Sequence, residues 1–328
     1  MRRRDFIAGI AGSAATWPLS ASAQGERVRR VGALMNAPKD DPHVSNRFAA
    51  FAQRLQQLGW TEGRNLKIDV RWGTLGATAD RYRKDAAELE LVSDVILGST
   101  TPAMEALQRV TRTVPIVFAM IVDPVGQDFV ESLARPGGNI TGFMQFEYSL
   151  AGKWLELLKQ IAPGVTRAAV LRDPASRSGI GQFAVIQAAA ASLGIEVLAV
   201  NVRDAAEIER RIAAFASLPY GGLVMTGGAG TAHRELIFRL VERHRLPAVY
   251  PYRYHVDDGG LVSYGPDLPD LFRQAASYVD RILKGEKPSD LPVQAPSRYE
   301  LIVNLKAAKS IGLNVPPAVL VRADQVIE

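Results

Sequence analysis

The feature that most constrains the fold is an alternation of strand and helix patterns that occurs twice in the same order. Short apolar runs alternate with stretches in which apolar residues recur at helical spacing, and glycines or prolines punctuate the pattern. Such alternation predicts parallel sheets that helices cover on both faces. Two units in tandem therefore predict an α/β protein with two similar, doubly wound lobes. The predicted strands are 31–35, 66–72, 94–97 and 116–120 in the first unit, and 168–171, 195–202, 223–225 and 247–250 in the second.

The residues after 259 do not form a third unit of the same kind. One strand and one helix precede a break at 285–288, and one further strand and helix follow it. If each piece returns to one lobe, the chain crosses between the lobes several times, and these crossings form a hinge. We expect the first crossing at 137–142, where glycines permit unusual backbone angles. The predicted lobes are 27–141 with 260–287, and 142–259 with 288–328.

The N-terminus has the pattern of a cleaved export signal. Three arginines at 2–4 precede a short, weakly apolar run at 6–21, and an Ala-Ser-Ala sequence ends at Ala23. A basic head, a short apolar run and small residues are typical of secretory signals, and the arginine pair at 3–4 is typical of the twin-arginine route. An amphipathic or disordered N-terminus is the alternative. We predict cleavage after Ala23, removal of residues 1–23 and a periplasmic mature chain.

Composition and charge exclude several other classes of protein. The chain has 328 residues, no cysteine and a formal charge of +5, of which three arginines and one aspartate in residues 1–23 contribute +2. The absence of cysteine excludes disulfides and thiolate metal sites, and so small a charge does not indicate a nucleic-acid partner. The four histidines lack ligand spacing, and no phosphate-binding loop or nucleophile motif is present. We therefore expect no metal, no cofactor and no catalysis.

The candidate ligand contacts follow the predicted strands. Open parallel sheets bind ligands beyond the carboxyl ends of their strands, and in a two-lobed protein these ends face each other across a cleft. The hydroxyls at 99–101 precede a predicted helix, where hydroxyls and free backbone N–H groups either bind a carboxylate or only cap the helix. The residues that we predict to contact a ligand are Asn36, Ser99, Thr100, Thr101, Asp123, Asp173, Thr226, Gly227, Tyr250 and Tyr252.

The aspartates and tyrosines of this set have a second interpretation that the sequence leaves open. Asp123 and Asp173 each follow a strand and precede a proline, so each carboxylate either accepts a bond from a ligand amine or caps a turn. Tyr250 and Tyr252 either wall a pocket with an apolar ring and a polar tip or pack in the ordinary way at a strand end.

A characteristic set of short sequences runs through the chain and resembles a known family. Together they resemble the ABC-transporter substrate-binding proteins of the tryptophan/tyrosine-binding type, which have the type I periplasmic-binding-protein fold. The resemblance extends from about residue 29 to the C-terminus. The sequences are LARPGGNITG at 133–142, YPY at 250–252, GGLVSYG at 259–265, ILKG at 282–285, LIVNLKAAK at 301–309 and GLNVPP at 312–317.

The resemblance implies a function. Such a protein captures an amino acid or a related aromatic or carboxylate solute between its lobes by hinge closure, and delivers it to the permease and ATPase subunits of an importer. It implies that the protein makes or breaks no bond in the solute; we expect it to act as a monomer. The alternatives are a periplasmic sensor that docks on a membrane receptor and a periplasmic enzyme on the same two-lobed scaffold.

The resemblance also bears on individual positions of the cleft. Thr101-Pro102 and Asp123-Pro124 correspond to family positions, and Asp173-Pro174 stands where members often have Asn-Pro. Many members have an acidic or amide residue after the strand that here ends at Met225, whereas this chain continues with Thr226 and two glycines. The departure removes a possible partner for a ligand amine, unless an aspartate elsewhere in the cleft supplies the carboxylate.

Overall fold

The computed structural model describes residues 27–74, 77–174, 176–230 and 233–328. The predicted export signal at 1–23 lies outside the described residues. In chain order, the described elements are β1 (Arg29–Leu34), α1 (Pro42–Gln57), β2 (Leu66–Arg71), α2 (Ala79–Glu90), β3 (Val95–Ser99), α3 (Thr101–Val110), β4 (Ile116–Ile121), β5 (Ile140–Met144), α4 (Leu150–Ile161), β6 (Arg167–Arg172), α5 (Arg177–Leu193), β7 (Glu196–Asn201), α6 (Ala205–Ala216), β8 (Gly221–Met225), α7 (Arg234–Arg243), β9 (Ala248–Tyr250), α8 (Arg253–Asp257), β10 (Val262–Pro266), α9 (Leu268–Leu283), a short 3₁₀ helix (Pro288–Asp290), β11 (Tyr299–Asn304), α10 (Leu305–Ser310), α11 (Pro317–Leu320) and β12 (Gln325–Ile327).

The first lobe is built on a parallel sheet of order β2-β1-β3-β4-β5. Strands β3 and β4 are buried along their whole length, which explains why their sequences are continuous apolar runs. Alternate residues of a strand point to opposite faces and here enter two separate cores. Val117 and Ala119 pack with residues of α1 and α9, whereas Ile116 and Phe118 pack with residues of α2 and α3.

The second lobe is built on a sheet of order β12-β11-β10-β9-β8-β6-β7, in which β10 and β11 are antiparallel and the other pairs are parallel. Ala168 and Val170 of β6 pack with residues of α4 and α5, whereas Ala169 and Leu171 pack with residues of α6 and α7. Helices therefore cover both faces of each sheet. The predicted α/β fold with two doubly wound lobes is confirmed.

The described chain crosses between the two sheets at three places. Because β5 completes the first sheet, the first crossing follows Met144 and leads into α4, after the glycine-rich segment 137–142. The second lies between β10, in the second sheet, and α9, which packs against α1. The third follows Gln294, whose N–H donates to Gly142 O at 3.0 Å and whose carbonyl accepts from Met144 N at 2.8 Å.

The structure therefore divides the C-terminal segments differently from the boundaries predicted above. Strand β10 lies within segment 260–287, which was assigned to the first lobe, but it pairs with β9 and β11 of the second sheet. The stretch 288–294 was assigned to the second lobe, but it lies along β5, and Thr141 Oγ1 donates to Leu291 O at 2.6 Å. Pairing between distant segments decides both placements, and local sequence patterns do not encode it.

The longest described helix, α5, has 17 residues. A helix needs about 20 apolar residues to span a bilayer, and no helix among the described residues is long and apolar enough to do so.

Candidate functional site

A cavity of about 430 Å³ lies between the lobes, at the carboxyl ends of the parallel strands of both sheets. Open parallel sheets bind ligands at this edge, and the volume is within the range of small-molecule sites. Segments that follow β1, β3 and β4 line it from the first lobe, and segments that follow β6, β8 and β9 line it from the second. Its polar lining includes Asn36, Asp41, His43, Arg47, Thr100 and Thr101 from the first lobe, and Asp173, Ser178, Arg203, His233, Arg234, Tyr252 and Tyr254 from the second.

On the first lobe, the strand ends that face the cavity have unusual backbone angles. Thr100 has a φ of 88° and Met120 a φ of 66°, in the region that residues other than glycine rarely adopt. Thr100 is the N-cap of α3 but makes no side-chain capping bond, and its buried Oγ1 has no hydrogen-bond partner. Strained backbone of this kind is concentrated at functional sites. The start of α3 thus places at the cavity lining a hydroxyl that has no partner among the described residues, and the N-terminal end of a helix suits an anion.

Arg47 of α1 lies on the apolar side of its helix and is only 5% exposed. Its Nη1 lies 3.0 Å from Met120 Sδ, and its Nε has no hydrogen-bond partner. Burial lowers the pKa of Arg47, while its electrostatic interactions with Tyr254, Asp41 and Tyr252 oppose that shift. An arginine nevertheless keeps its charge in proteins. The cavity wall therefore holds a buried guanidinium whose Nε is available to an acceptor.

A set of ion pairs connects the start of α1 to the second lobe at the edge of the cavity. Arg234 of α7 lies 3.4 Å from Asp41 and 3.4 Å from Asp258, and His43 Nε2 lies 3.0 Å from Asp258. Burial alone would raise the pKa of Asp41. The hydrogen bond from the Val44 N–H and the charge of Arg234 lower this pKa by more than burial raises it, so the net shift is downward. Asp41 also caps α1 by accepting from the N–H groups of residues 43 and 44. These contacts link the two lobes across the cavity edge.

On the second lobe, packed rings form the cavity wall. Tyr252 stacks on Tyr254 with ring centroids 5.3 Å apart, and both stack or tilt against the buried His255. Burial raises the pKa of Tyr254 to about 12 and raises that of Tyr252 well above its usual value, so both phenols keep their protons. The hydroxyl of Tyr252 has no hydrogen-bond partner.

Gly227 completes this wall because no larger residue fits there. A Cβ on Gly227 would lie 2.6 Å from both Phe146 Cζ and Tyr252 Oη. Its backbone is fixed by Gln182, whose Oε1 accepts from Gly227 N at 2.7 Å. The close approach of this backbone to the tyrosine ring holds the ring against the cavity.

Six residues of the set predicted from the sequence line the cavity. They are Asn36, Thr100, Thr101, Asp173, Gly227 and Tyr252. Asp173 is paired with Arg203, with 3.6 Å between Oδ1 and the arginine Nε. Buried polar atoms of Asn36, Thr100 and Tyr252 have no partner in the structure. The loops at these strand ends thus meet at one cavity, and contact of these residues with a ligand stays a prediction.

The other four predicted residues are not part of the cavity lining. The hydroxyl of Ser99 donates to Leu34 O at 3.1 Å and that of Thr226 to Leu171 O at 2.9 Å, so both fully buried side chains connect neighbouring strands. Asp123 caps a turn by accepting from Gly126 N at 2.8 Å. Tyr250 is fully buried behind the sheet, with its ring 5.5 Å from that of Phe238. The direction in which each side chain leaves the backbone at or after the strand end keeps these four residues out of the cavity lining.

Eight charged or aromatic residues of the described lining lie outside the set that the sequence nominated: Asp41, His43, Arg47, Tyr82, Arg203, His233, Arg234 and Tyr254. Arg47 had a signal that sequence reasoning can use. It falls between Val44 and Phe51 on the buried side of α1, and a charged residue within an apolar helical stripe is unusual. Arg234 had no comparable signal, because it follows no strand directly and starts its helix at a surface position.

Comparisons with known proteins agree with this geometry. Residues 40–327 match the family model described as ABC transporter substrate binding protein. This chain belongs to that family. A tyrosine-binding protein of Clostridioides difficile is 24% identical over 277 residues, which cover 84% of this chain and 79% of that protein. The resemblance found in the sequence is therefore confirmed.

Solved structures show the same fold for this substrate-binding protein. A Streptococcus pneumoniae ABC domain in complex with L-Trp superimposes with a TM-score of 0.83 at 25% identity, covering 91% of this chain and 99% of that one. A conserved domain protein from Vibrio cholerae also gives a TM-score of 0.83, at 26% identity, covering 92% of this chain and all of that one. The two-lobed arrangement is thus shared with proteins of known structure, one of them with an amino acid bound.

Among the residues that the structure describes, no group of three or more histidine, aspartate or glutamate side chains is placed to hold a metal ion. The polar lining of the cavity offers hydroxyls, imidazoles, carboxylates and guanidinium groups. Such groups bind and orient an organic solute.

Proposed function

We propose that this substrate-binding protein captures a small aromatic carboxylate or aromatic amino acid in the cavity between its lobes, and delivers it to the permease and ATPase subunits of an importer. The observation that carries the proposal is a convergence of four buried polar atoms without partners on one cavity. They are Asn36 Oδ1, Arg47 Nε, Thr100 Oγ1 and Tyr252 Oη. A buried polar group without a partner costs roughly 1–3 kcal/mol, so a ligand that supplies partners is strongly favoured.

The aromatic part of the proposal rests on the cavity wall and on the relatives. Tyr252, Tyr254, Tyr82 and His43 line the cavity, and their rings offer flat apolar surface to a ligand ring. One relative is named for tyrosine binding, and a structural neighbour has L-Trp bound. An aromatic solute with a carboxylate satisfies both the rings and the open donors of the cavity.

The mechanism that we propose is hinge closure without any chemical change in the solute. Three chain crossings join the lobes, and the ion pairs of Arg234 with Asp41 and Asp258 lie at the edge of the cavity. A solute that contacts both lobes stabilises the closed form by the difference in its affinity for the two forms. The permease then recognises the closed form of a monomer. No observation on the described residues favours the sensor alternative.

The experiment that tests the proposal measures binding and closure in the same samples. Purified protein is titrated with L-tryptophan, L-tyrosine and their carboxylate analogues by calorimetry, and its radius of gyration is measured by small-angle X-ray scattering. We expect at least one of these solutes to bind with a Kd below about 10 μM, to raise the Tm by mass action and to reduce the radius of gyration. Failure of every aromatic carboxylate to bind would reject the proposed solute class.

We propose further that the protein is exported through the twin-arginine route, on the pattern of residues 1–23. Replacing Arg3 and Arg4 together with lysine removes the arginine pair and keeps the charge. We expect uncleaved precursor to accumulate in the cytoplasm of cells that make this variant, as measured by fractionation and immunoblotting. Normal export of the double variant would reject the twin-arginine route and leave a general secretory signal as the explanation.

A further inference from the structure

The ionic groups of the cavity wall are unequally compensated. Five described lining residues carry full charges at neutral pH: Asp41, Arg47, Asp173, Arg203 and Arg234. Asp41 lies 3.4 Å from Arg234 and Asp173 lies 3.6 Å from Arg203. Both carboxylates of the lining therefore already have a guanidinium beside them, and Arg234 shares a second carboxylate with Asp258.

Arg47 differs from the other two arginines of the lining. Within the described residues, no carboxylate lies within 4 Å of its guanidinium, and the contact made by its Nη1 is with the neutral sulfur of Met120. The charge of Asp41 acts on Arg47 from a greater distance, but that carboxylate also caps α1 and pairs with Arg234. Arg203 and Arg234 are 57% and 22% exposed in their side chains, whereas Arg47 is 5% exposed. A buried cation without a paired anion is costly, because burial removes solvation that the Met120 sulfur and the Phe272 ring, whose centroid lies 5.9 Å from the guanidinium carbon, replace only in part.

The other open groups of the cavity favour an anion as well. Thr100 and Tyr252 each offer a hydroxyl donor, and Arg47 offers the Nε donor. Asn36 Oδ1 is the acceptor of the set, and it can accept a hydrogen bond from a neutral group such as a phenol. An α-ammonium carries three protons and a full charge, and the lining carboxylates that would suit it are already paired.

We propose that the solute is a net anion, namely an aromatic carboxylic acid without an α-ammonium group, and that Arg47 is the residue that selects it. The inference rests on the proposed function and narrows its solute class. The carboxylate of the solute pairs with Arg47 and accepts from the hydroxyls of Thr100 and Tyr252. A zwitterionic amino acid brings an equal positive charge into the same wall and leaves the cavity charge uncompensated.

The test compares each amino acid with two analogues, each of which lacks one of its two ionic groups. L-tyrosine is matched with 3-(4-hydroxyphenyl)propionate, which lacks the amino group, and with tyramine, which lacks the carboxylate. L-tryptophan is matched in the same way with indole-3-propionate and tryptamine. We expect one of the propionates to bind at least tenfold more tightly than its amino acid, and neither amine to bind measurably, by isothermal titration of the full mature protein.

Variants of α1 assign this preference to Arg47. Arg47→Met keeps a flexible, unbranched apolar side chain and removes the guanidinium with its charge, and we expect it to weaken propionate binding at least 100-fold. Arg54→Met is the matched control, because Arg54 lies on the same helix, is partly buried and does not line the cavity. We expect it to bind within twofold of the unmodified protein. Without ligand, R47M should melt at the same temperature as the unmodified protein or higher, because it removes an unpaired buried charge.

Each outcome decides between defined alternatives. Tighter binding of L-tyrosine or L-tryptophan than of the propionates would overturn this inference and leave the proposed function intact. Absence of binding by every compound would reject the proposed solute class, and this inference with it. A Tm of ligand-free R47M several degrees below that of R54M would overturn the assignment of Arg47, because the guanidinium would then have a structural role.

Discussion

The first-lobe face of the cavity combines strained backbone with a buried guanidinium that has no ion pair among the described residues, whereas the second-lobe face combines packed rings and glycine with charges that are already paired. Thr100 and Met120 have positive φ angles, and Arg47 is buried without a carboxylate beside it. On the opposite face, Tyr252 stacks on the residues around it and Gly227 allows the close approach of the backbone. The first face is therefore prepared to recognise charge, and the second is prepared to recognise shape.

The two faces also differ in how stable they are without a ligand. Unpartnered polar atoms and strained φ angles destabilise the first face until a solute supplies partners. The second face also has the unpartnered hydroxyl of Tyr252, but its rings keep their contacts in the absence of solute. We therefore expect affinity to depend most on the first face and folding stability to depend most on the second.

The largest expected effect concerns His255, beneath the tyrosines of the second face. Burial lowers the pKa of His255 to about 3; its backbone contact with Tyr252 opposes this shift, and the charges of Arg234 and His43 add to it. In the unfolded chain the imidazole of this histidine is protonated below about pH 6.5. In the folded chain the same imidazole stays neutral until the pH approaches 3. Stability is therefore full above about pH 6.5 and falls as the pH decreases, by about 2 kcal/mol between pH 7 and pH 5.

His255→Phe tests this expectation, because a phenylalanine keeps a ring among the tyrosines and cannot take up a proton. We expect the free energy of unfolding, measured by urea denaturation, to fall less steeply between pH 7 and pH 5 in this variant. His244→Gln is the control, because His244 is a C-cap at the end of α7 and does not contact these rings. Equal slopes for H255F and the unmodified protein would show that the second face contributes no such pH dependence.

The sequence predicted those features of the fold and of the site that depend on local patterns. Periodicity identified the strands and helices, and the carboxyl ends of strands brought Asn36, Thr100, Asp173 and Tyr252 to one cavity, because both signals are local. The placement of β10 was not predictable in this way. It pairs with β11 across more than 30 residues of chain, while the helix between them packs on the other lobe.

Side-chain direction limited the prediction of individual contacts. Ser99 and Thr100 are neighbours at the end of β3, but the hydroxyl of Ser99 donates to Leu34 O, whereas Thr100 lines the cavity. Asp123 and Asp173 both precede a proline, but the first caps a turn and the second lines the cavity. The register and φ angle at each strand end decide between these roles. The residue types alone determine neither the register nor the φ angle.

The Ser99 and Thr100 pair offers a smaller test that separates the two roles on the first face. Thr100→Val keeps the β-branched shape and the same strain at positive φ, and removes a hydroxyl that has no partner without ligand. We expect it to weaken solute binding by about 1.5 kcal/mol, the lower end of what a hydrogen bond to a charged group contributes. Without ligand, the free energy of unfolding should stay the same or rise by up to about 1–3 kcal/mol, because the variant removes a buried hydroxyl that has no partner among the described residues.

Ser99→Ala is expected to give the opposite result. Its hydroxyl donates to Leu34 O in the buried interior, so its removal leaves a carbonyl without that partner and lowers the free energy of unfolding by about 1 kcal/mol. Affinity should stay within twofold, because Ser99 is not in the cavity lining. Calorimetric titration and urea denaturation of both variants measure the two quantities. An equal loss of affinity in S99A and T100V would contradict this distinction. It would mean that the first face binds the solute as one rigid unit and not through the hydroxyl of Thr100 in particular.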